Sequence, residues 1–243
     1  MILKATTTQP KNDYPTSDGK PMAETDIHRD LMLELIETLK WWYRDDSSVY
    51  VSGNLLVFYE NGNKLKHVAP DVFVVRGVGK HRRENYLLWE ERPLDLVIEL
   101  TSKTTMVEDI EEKHNLYVGK LGEKEYFLFD PKQEYLKPSF QGYRKVGDRF
   151  RPMKPDSEHF SSKVLGLHLE RDGEQLRLRN PATGERLPTP AERADAESAR
   201  AAAEAERAAA EAERAAAEAE RARQAEAENE RLRREIARLR GRK

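Results

Sequence analysis

Apolar residues recur every three or four positions over residues 27–42, which predicts an amphipathic helix. Thr25 or Asp26 would cap this helix, because side-chain oxygens accept hydrogen bonds from the first backbone N–H groups. The segment VYVSGNLLVFYE at 49–60 is rich in β-branched and aromatic residues and predicts strand, with Gly53–Asn54 as a turn or a bulge. The folded part of the chain is therefore expected to begin with a helix followed by strands.

The pattern from Pro70 to Pro131 is strand, strand, helix and strand. Pro70 has no backbone N–H, so it is allowed only near the start or the edge of its strand. A continuous apolar run, interrupted only by Asp95 and Glu99, predicts a central buried strand. The predicted elements are a strand over 68–75, a loop with one short strand over 76–92, a strand over 94–100, a helix over about 106–121 and a strand over 126–129.

The remaining pattern divides the chain into three predicted parts. Residues 1–21 lack periodicity and are interpreted as a mobile leader. Residues 22–190 form the folded domain, which ends in strand-like pieces separated by turns, among them a hairpin turn at Arg171–Glu174. These pieces predict a β-meander that closes the domain. Residues 191–243 form a helical tail rich in Ala, Glu and Arg.

The composition changes abruptly at Pro190, where the tail begins. RAAAEAE occurs three times between residues 200 and 220, a period of seven built from strong helix formers. At 1.5 Å per residue, about 50 residues make a helix roughly 75 Å long. An alanine seam buries little area, so the better seam for a coiled-coil dimer lies at Leu232, Ile236 and Leu239.

Charge and cysteine content exclude several classes of protein. Of the 243 residues 35% are charged, but the formal net charge is only -2, which argues against a protein that coats nucleic acid through a strongly basic surface. The chain has no cysteine, which excludes disulfides and cysteine-ligated metal sites and fits a cytoplasmic protein. No apolar run approaches the roughly 20 residues that span a bilayer, so we expect no membrane association through a helix.

Three charged residues stand where core segments do not require them. Asp71 opens one apolar strand, Glu99 lies inside the next, and Lys113 lies on the following helix. Carboxylates from adjacent strands are hard oxygen ligands that suit Mg²⁺ or Mn²⁺, and the Leu100 carbonyl would add another. A bound ion polarises a phosphoryl oxygen and lowers the pKa of a bound water, while the lysine orients that water. The pattern therefore predicts a phosphodiesterase site.

Each of these residues also has a purely structural interpretation. Asp71 would cap a backbone group at the end of its strand. Glu99 would form a structural ion pair, because a lone buried carboxylate is costly. Lys113 would be a solvated residue on a polar helix face. The joint pattern favours the chemical interpretation, since one sheet edge and one helix would bring all three residues together.

The motifs PDVFVV, VIELTSKTT, ED-x3-K-x3-Y and EYFLFDP, with ETDIHRDLM and VYVSGN before them, resemble the Uma-two-type family of restriction endonucleases. That family is placed in the PD-(D/E)XK nuclease superfamily, and the resemblance covers most of residues 22–190. It implies an α/β (α+β) fold with an αβββαβ core around a mixed central sheet, and Mg²⁺-dependent cleavage of DNA. It also identifies Asp71 with the aspartate of the PD motif and Glu99 with the motif glutamate.

The chain departs from the superfamily pattern at the lysine. Thr101, and not a lysine, stands two residues after Glu99. In the family resembled here the lysine lies on the following helix, where Lys113 matches it. Lys103 is the rival, but a loop lysine beyond the end of the strand is less well fixed.

Three further residues are secondary candidates for the site. Asp109 stands one helical turn before Lys113 and would pair with it or join the metal site. Glu24 and His28, at the first helix, would point into the same cleft. A capping or surface role is the alternative for His28.

Three functions from different classes follow from this pattern. The first is a metal-dependent endonuclease that hydrolyses DNA. The second is a catalytically inactive nuclease-fold scaffold or binding module that assembles through the helical tail. The third is an enzyme that acts on RNA or on a special end structure. A homodimer through the nuclease domain or the tail is expected, because cutting both strands of DNA needs two sites.

Overall fold

The computed structural model describes residues 14–17, 19, 25–101, 116, 123–147 and 149–240. The chain divides into two compact units, Met1–Pro190 and Ala191–Lys243. The elements are α1 (Asp26–Trp42), β1 (Val49–Ser52), β2 (Val57–Phe58), β3 (His67–Val68), β4 (Val72–Arg76), β5 (Tyr86–Leu87), β6 (Leu96–Leu100), β7 (Glu125–Phe129), β8 (Phe140–Val146), β9 (Arg149–Pro152), β10 (His159–Ser162), β11 (Leu167–Asp172), β12 (Gln175–Arg179) and α2 (Pro190–Arg240).

A six-stranded mixed sheet forms the centre of the first unit, in the order β1-β4-β6-β7-β8-β9. Neighbouring strands run antiparallel except β6 and β7, which are parallel. A parallel pair needs a crossover connection. Within that connection Leu116 is helical and packs against the sheet, and the rest of the predicted helix over 106–121 lies outside the described residues. The α+β class and the mixed sheet are confirmed, whereas the complete αβββαβ order stays a prediction.

Helix α1 covers one face of this sheet, as its apolar period predicts. Its first turn is capped by Thr25, whose hydroxyl accepts the backbone N–H of His28 at 3.3 Å. Leu35 and Leu39 are buried and share one apolar cluster with residues of β4, β6 and the strands β10–β12. The opposite face of the sheet has its own cluster, which includes Phe73. Strand β6 is therefore buried on both sides, as the continuous apolar run indicates.

The predicted strand over 68–75 is wrong in one respect, because it is two strands in two sheets. Strand β3 pairs with β2 in a small three-stranded sheet, whereas β4 joins the central sheet. The break falls at Pro70, which has no N–H for a strand ladder. The chain thus turns immediately before Asp71, and this residue directly precedes the first residue of β4.

The predicted meander is also corrected. Strands β8 and β9 extend the central sheet, whereas β10, β11 and β12 form a separate antiparallel sheet. The predicted hairpin joins β11 to β12, with Gly173 in the left-handed region at φ 62°. Within the predicted mobile leader, the described Tyr14 packs its ring against Phe58 and Trp89, so this position is part of the apolar packing.

The second unit contains α2, a helix of 51 residues, which confirms the predicted helical tail. At 1.5 Å per residue it is about 76 Å long. None of the residues described in this helix is buried. Neither of the two long helices in the described part of the chain has the length and apolar character needed to cross a membrane.

Candidate active site

The start of β4 and the end of β6 bring Asp71 and Glu99 together. The two strands are antiparallel with Val72 opposite Ile98, so the residue before Val72 faces the residue after Ile98. The backbone N–H of Asp71 donates to Glu99 Oε2 at 3.3 Å. In return, the backbone N–H of Leu100 donates to Asp71 Oδ2 at 2.7 Å. Each carboxylate is thus held by the backbone of the neighbouring strand.

The imidazole of His28 completes the surroundings of Asp71. His28 Nε2 lies 3.0 Å from Asp71 Oδ1. The ring is buried, so the structure does not place His28 at the surface. Because Thr25 caps the helix at the backbone N–H of His28, the cap also fixes where the first turn of α1 begins. The two oxygens of Asp71 therefore have different partners, a histidine and a backbone amide.

A turn between β1 and β2 positions the backbone of Asp71. Gly53 lies so close to it that a Cβ atom there would come within 1.9 Å of the Asp71 carbonyl oxygen and 2.7 Å of Ile36 Cδ1. The next residue, Asn54, has φ 49° and donates its backbone N–H to the Pro70 carbonyl at 2.8 Å. The predicted turn at Gly53–Asn54 is therefore confirmed, and it packs directly against the segment that carries Asp71.

The two carboxylates differ in their access to solvent. Glu99 is completely buried, whereas the Asp71 side chain is 13% exposed. Mg²⁺ is commonly bound by one or two carboxylates together with water and substrate phosphates, and the paired oxygens of Asp71 and Glu99 fit that ligand class. Among the described residues no group of three or more His, Asp or Glu side chains is arranged to hold a metal ion. The fit therefore rests on two carboxylates.

Several predicted site residues cannot be placed beside this pair. Lys113, Lys103, Asp109 and Glu24 lie outside the described residues. Leu100 is adjacent to the pair through its backbone N–H, and the role of its carbonyl stays a prediction. The structure thus brings together the two predicted carboxylates and His28.

Glu123, just before β7, is another buried acid, and sequence reasoning missed it. It is fully buried, and within the described part of the chain no side chain or backbone group forms a hydrogen bond of normal geometry with either carboxyl oxygen. Burial raises the pKa of Glu123 well above its usual value, the charge of Glu99 adds to this effect, and its own backbone N–H and Lys145 oppose it. An acid before an apolar run is ordinarily a solvated strand end, so the pattern carries no signal for this position.

Comparison with known proteins gives a matching family model and similar solved structures. A family model described as "Uma2: Putative restriction endonuclease" matches residues 3–171, more than half of the chain. A crystal structure from Anabaena variabilis, described as a putative nuclease, is 16% identical, with the match covering 62% of this chain and 80% of that chain at a TM-score of 0.42. No curated protein matches the chain.

Proposed function

The chain belongs to the Uma2 family, as its motifs predict, and from this premise we propose that it is a metal-dependent endonuclease that hydrolyses phosphodiester bonds of DNA. One observation carries the proposal beyond family membership. Asp71 and Glu99 stand on adjacent strands, and each is held in place by a backbone N–H of the other strand. Two oxygen ligands on a rigid sheet are suited to hold a divalent ion in one geometry.

In this proposal Asp71 and Glu99 are the protein ligands of Mg²⁺ or Mn²⁺, with the Leu100 carbonyl as an additional one. The ion supplies Lewis-acid polarisation of the phosphate and a bound water of lowered pKa. His28 orients the carboxylate of Asp71 by contacting Oδ1, 3.0 Å away. Lys113, with Lys103 as its rival, stabilises the attacking water from the segment that follows β6.

A buried polar pair favours this chemistry for a physical reason. Glu99 is fully buried in a strand whose other side chains are apolar, which costs free energy unless the carboxylate is compensated. A cation at the Asp71–Glu99 pair compensates that cost. The scaffold alternative instead requires that the pair serve only the fold.

The test is a titration of Mn²⁺ into the full-length protein, with a DNA duplex present, for the wild type and the variants Asp71→Asn and Glu99→Gln. Both variants keep the side-chain shape and remove one negative charge. We expect each to weaken Mn²⁺ binding and DNA cleavage by about 100-fold or more, because loss of a group that merely supports a metal ligand already costs about 10–100-fold. Circular dichroism and thermal melting check that the variants stay folded.

Glu174→Gln is the matched control, because it removes one exposed charge from the β11–β12 turn. We expect it to bind Mn²⁺ and cleave as the wild type does. If folded wild-type protein neither binds Mn²⁺ nor cleaves DNA or RNA, the scaffold alternative replaces the nuclease. Preferential cleavage of RNA in a competition assay would instead support the third function.

We also propose that the chain dimerises through the last turns of α2. Leu232, Ile236 and Leu239 are 47, 49 and 62% exposed and stand on one face at helical spacing. Sedimentation of the wild type and of Leu232→Glu/Ile236→Glu tests this. A dimer that becomes monomeric in the variant supports the seam, and an unchanged state contradicts it.

A further inference from the structure

A basic cleft runs along β1, the outer strand of the central sheet. Its volume is about 500 Å³, and it lies between the end of α1 and the loop that follows β4. The cations that line it are Lys40, Lys80, Arg82 and Arg83, with His81 beside them. Among the residues that the structure describes, none of those that line the cleft is acidic. Its chemistry therefore matches an anionic ligand.

The cations of the cleft divide into a fixed floor and an exposed rim. Arg83 is the floor, since its side chain is 3% exposed, pairs with both oxygens of Glu91 at 2.5 and 2.6 Å, and stacks on Tyr50 at 4.1 Å. Lys80 is held at the end of the cleft by the Tyr43 carbonyl at 2.5 Å. These interactions shape the wall of the cleft and keep its positive charge in position.

The rim carries the charges that are accessible to a ligand. Arg82 is exposed and makes no ion pair with any residue that the structure describes. Lys40 is exposed and contacts Glu37 at 2.9 Å, a surface pair of small net energy that an anionic ligand can replace. The acid near Lys80, Asp46, already accepts hydrogen bonds from the backbone N–H and the hydroxyl of Ser48.

The end of β1 brings the lining of the cleft close to the segment that carries Asp71. Ser52 lines one end of the cleft, and the next residue, Gly53, packs against the Asp71 carbonyl. From Val49 to Ser52 the strand advances by roughly 10 Å, which gives room for a short stretch of an anionic chain. An anionic chain in the cleft would therefore lie close to the segment that carries Asp71.

From charge and continuity we propose that this cleft binds the sugar–phosphate backbone of the DNA beside the scissile bond, an inference that rests on the proposed nuclease function. Arg82 and Lys40 contact phosphates, whereas Arg83 and Lys80 position the wall. An extended peptide added to the edge of β1 is the other class of ligand that such a strand accepts. The excess of cations and the proximity of the cleft to the Asp71 segment favour the nucleic acid.

Fluorescence anisotropy of a labelled DNA duplex tests this, with the full-length protein in EDTA so that binding is measured without cleavage. The variants are Arg82→Gln, Lys40→Gln and the matched control Arg149→Gln, which removes an exposed charge from β9 at the opposite edge of the same sheet. A variant that neutralises one phosphate fewer should show a slope of log affinity against log salt that is smaller by about 0.9. We expect that decrease for Arg82→Gln and Lys40→Gln and an unchanged slope for Arg149→Gln.

Equal slopes for all three variants would overturn the inference. The inference would also be overturned if the binding of an acidic peptide depended on Arg82 and the binding of DNA did not. Failure of the proposed function gives a different result. In that case the wild type binds DNA with the Arg82-dependent slope, yet it does not cleave when Mn²⁺ is added.

Discussion

Glu99 and Glu125 are both buried carboxylates in neighbouring strands of one sheet, yet their surroundings differ. Glu125 is 1% exposed and accepts hydrogen bonds from Arg144 at 2.8 Å, the backbone N–H of Lys163 at 2.9 Å and the hydroxyl of Ser162. It thereby ties the central sheet to the end of β10. Glu99 instead accepts the backbone N–H of Asp71 at a longer 3.3 Å.

The difference separates a carboxylate that serves the fold from one that is suited to chemistry. Donors from β8, from β10 and from the turn after β10 converge on Glu125, including an arginine opposite it in the β7–β8 register. Glu125 forms with Arg144 the kind of structural ion pair that the sequence also allows for Glu99. Glu99 is placed beside a second carboxylate, Asp71, which opposes burial of both charges and favours a bound cation.

The largest expected effect is on stability, from Glu125→Gln. The NH₂ group of the new amide is a donor, and it would face groups that now donate hydrogen bonds to the carboxylate. The charge of Arg144 would also lose its partner. We expect a loss of about 3 kcal/mol in the free energy of unfolding, the low end for a broken buried pair because the Arg144 side chain is 29% exposed. Urea denaturation measures this.

Glu99→Gln, measured in the same way, should lose only about 1 kcal/mol, because its amide oxygen can still accept the Asp71 N–H. The double variant Glu125→Met/Arg144→Met should recover part of the loss seen for Glu125→Gln, since no lone charge is then left. Equal losses for Glu125→Gln and Glu99→Gln would contradict the distinction between the two acids and favour a structural role for both.

A smaller effect is expected from Gly53→Ala, which tests whether the packing of Gly53 positions the backbone of Asp71. The added methyl must push away the Asp71 carbonyl or the end of Ile36, which costs about 1–3 kcal/mol. A shift of the Asp71 backbone should also lower cleavage per folded molecule. Gly79→Ala is the control, because its nearest neighbour, His81 Nδ1, is 3.6 Å away and at ordinary contact distance. Equal melting temperatures for the two variants would contradict the close packing at Gly53.

The smallest effect concerns pH and Glu123. Because burial raises the pKa of Glu123 above 4.5, the folded protein holds a proton that the unfolded chain has released. The contribution of Glu123 to stability should therefore fall as pH rises above about 4.5, by at most about 1.4 kcal/mol per pH unit, until the folded-state pKa is passed. Glu123→Gln lacks this titration, so its melting temperature relative to the wild type should rise with pH. A difference that does not vary with pH would show that Glu123 is solvated.

Local sequence patterns were sufficient to predict the elements that are stabilised by residues close to one another in the chain. Thr25 caps α1 where the apolar period begins, and the period-seven repeat forms α2, because capping and helix propensity act within a few residues. Asp71 and Glu99 were also paired correctly in space, since charged residues at the ends of adjacent apolar strands meet at one edge of a sheet. The lysine of the site stays a prediction.

Local periodicity was enough to predict α1, α2 and the buried central strands. The adjacency of Asp71 and Glu99 also depends on the pairing of β4 with β6, two strands that are separated in the chain. Only the tertiary structure decided that the chain breaks between β3 and β4, that Gly53 presses against the Asp71 backbone, and that Glu125 holds the ion pair. These features depend on contacts between residues far apart in the chain, such as Glu125 with Ser162, and no local pattern encodes such distances. The basic cleft along β1 has the same origin, since α1 and the loop after β4 supply its charges from separate segments.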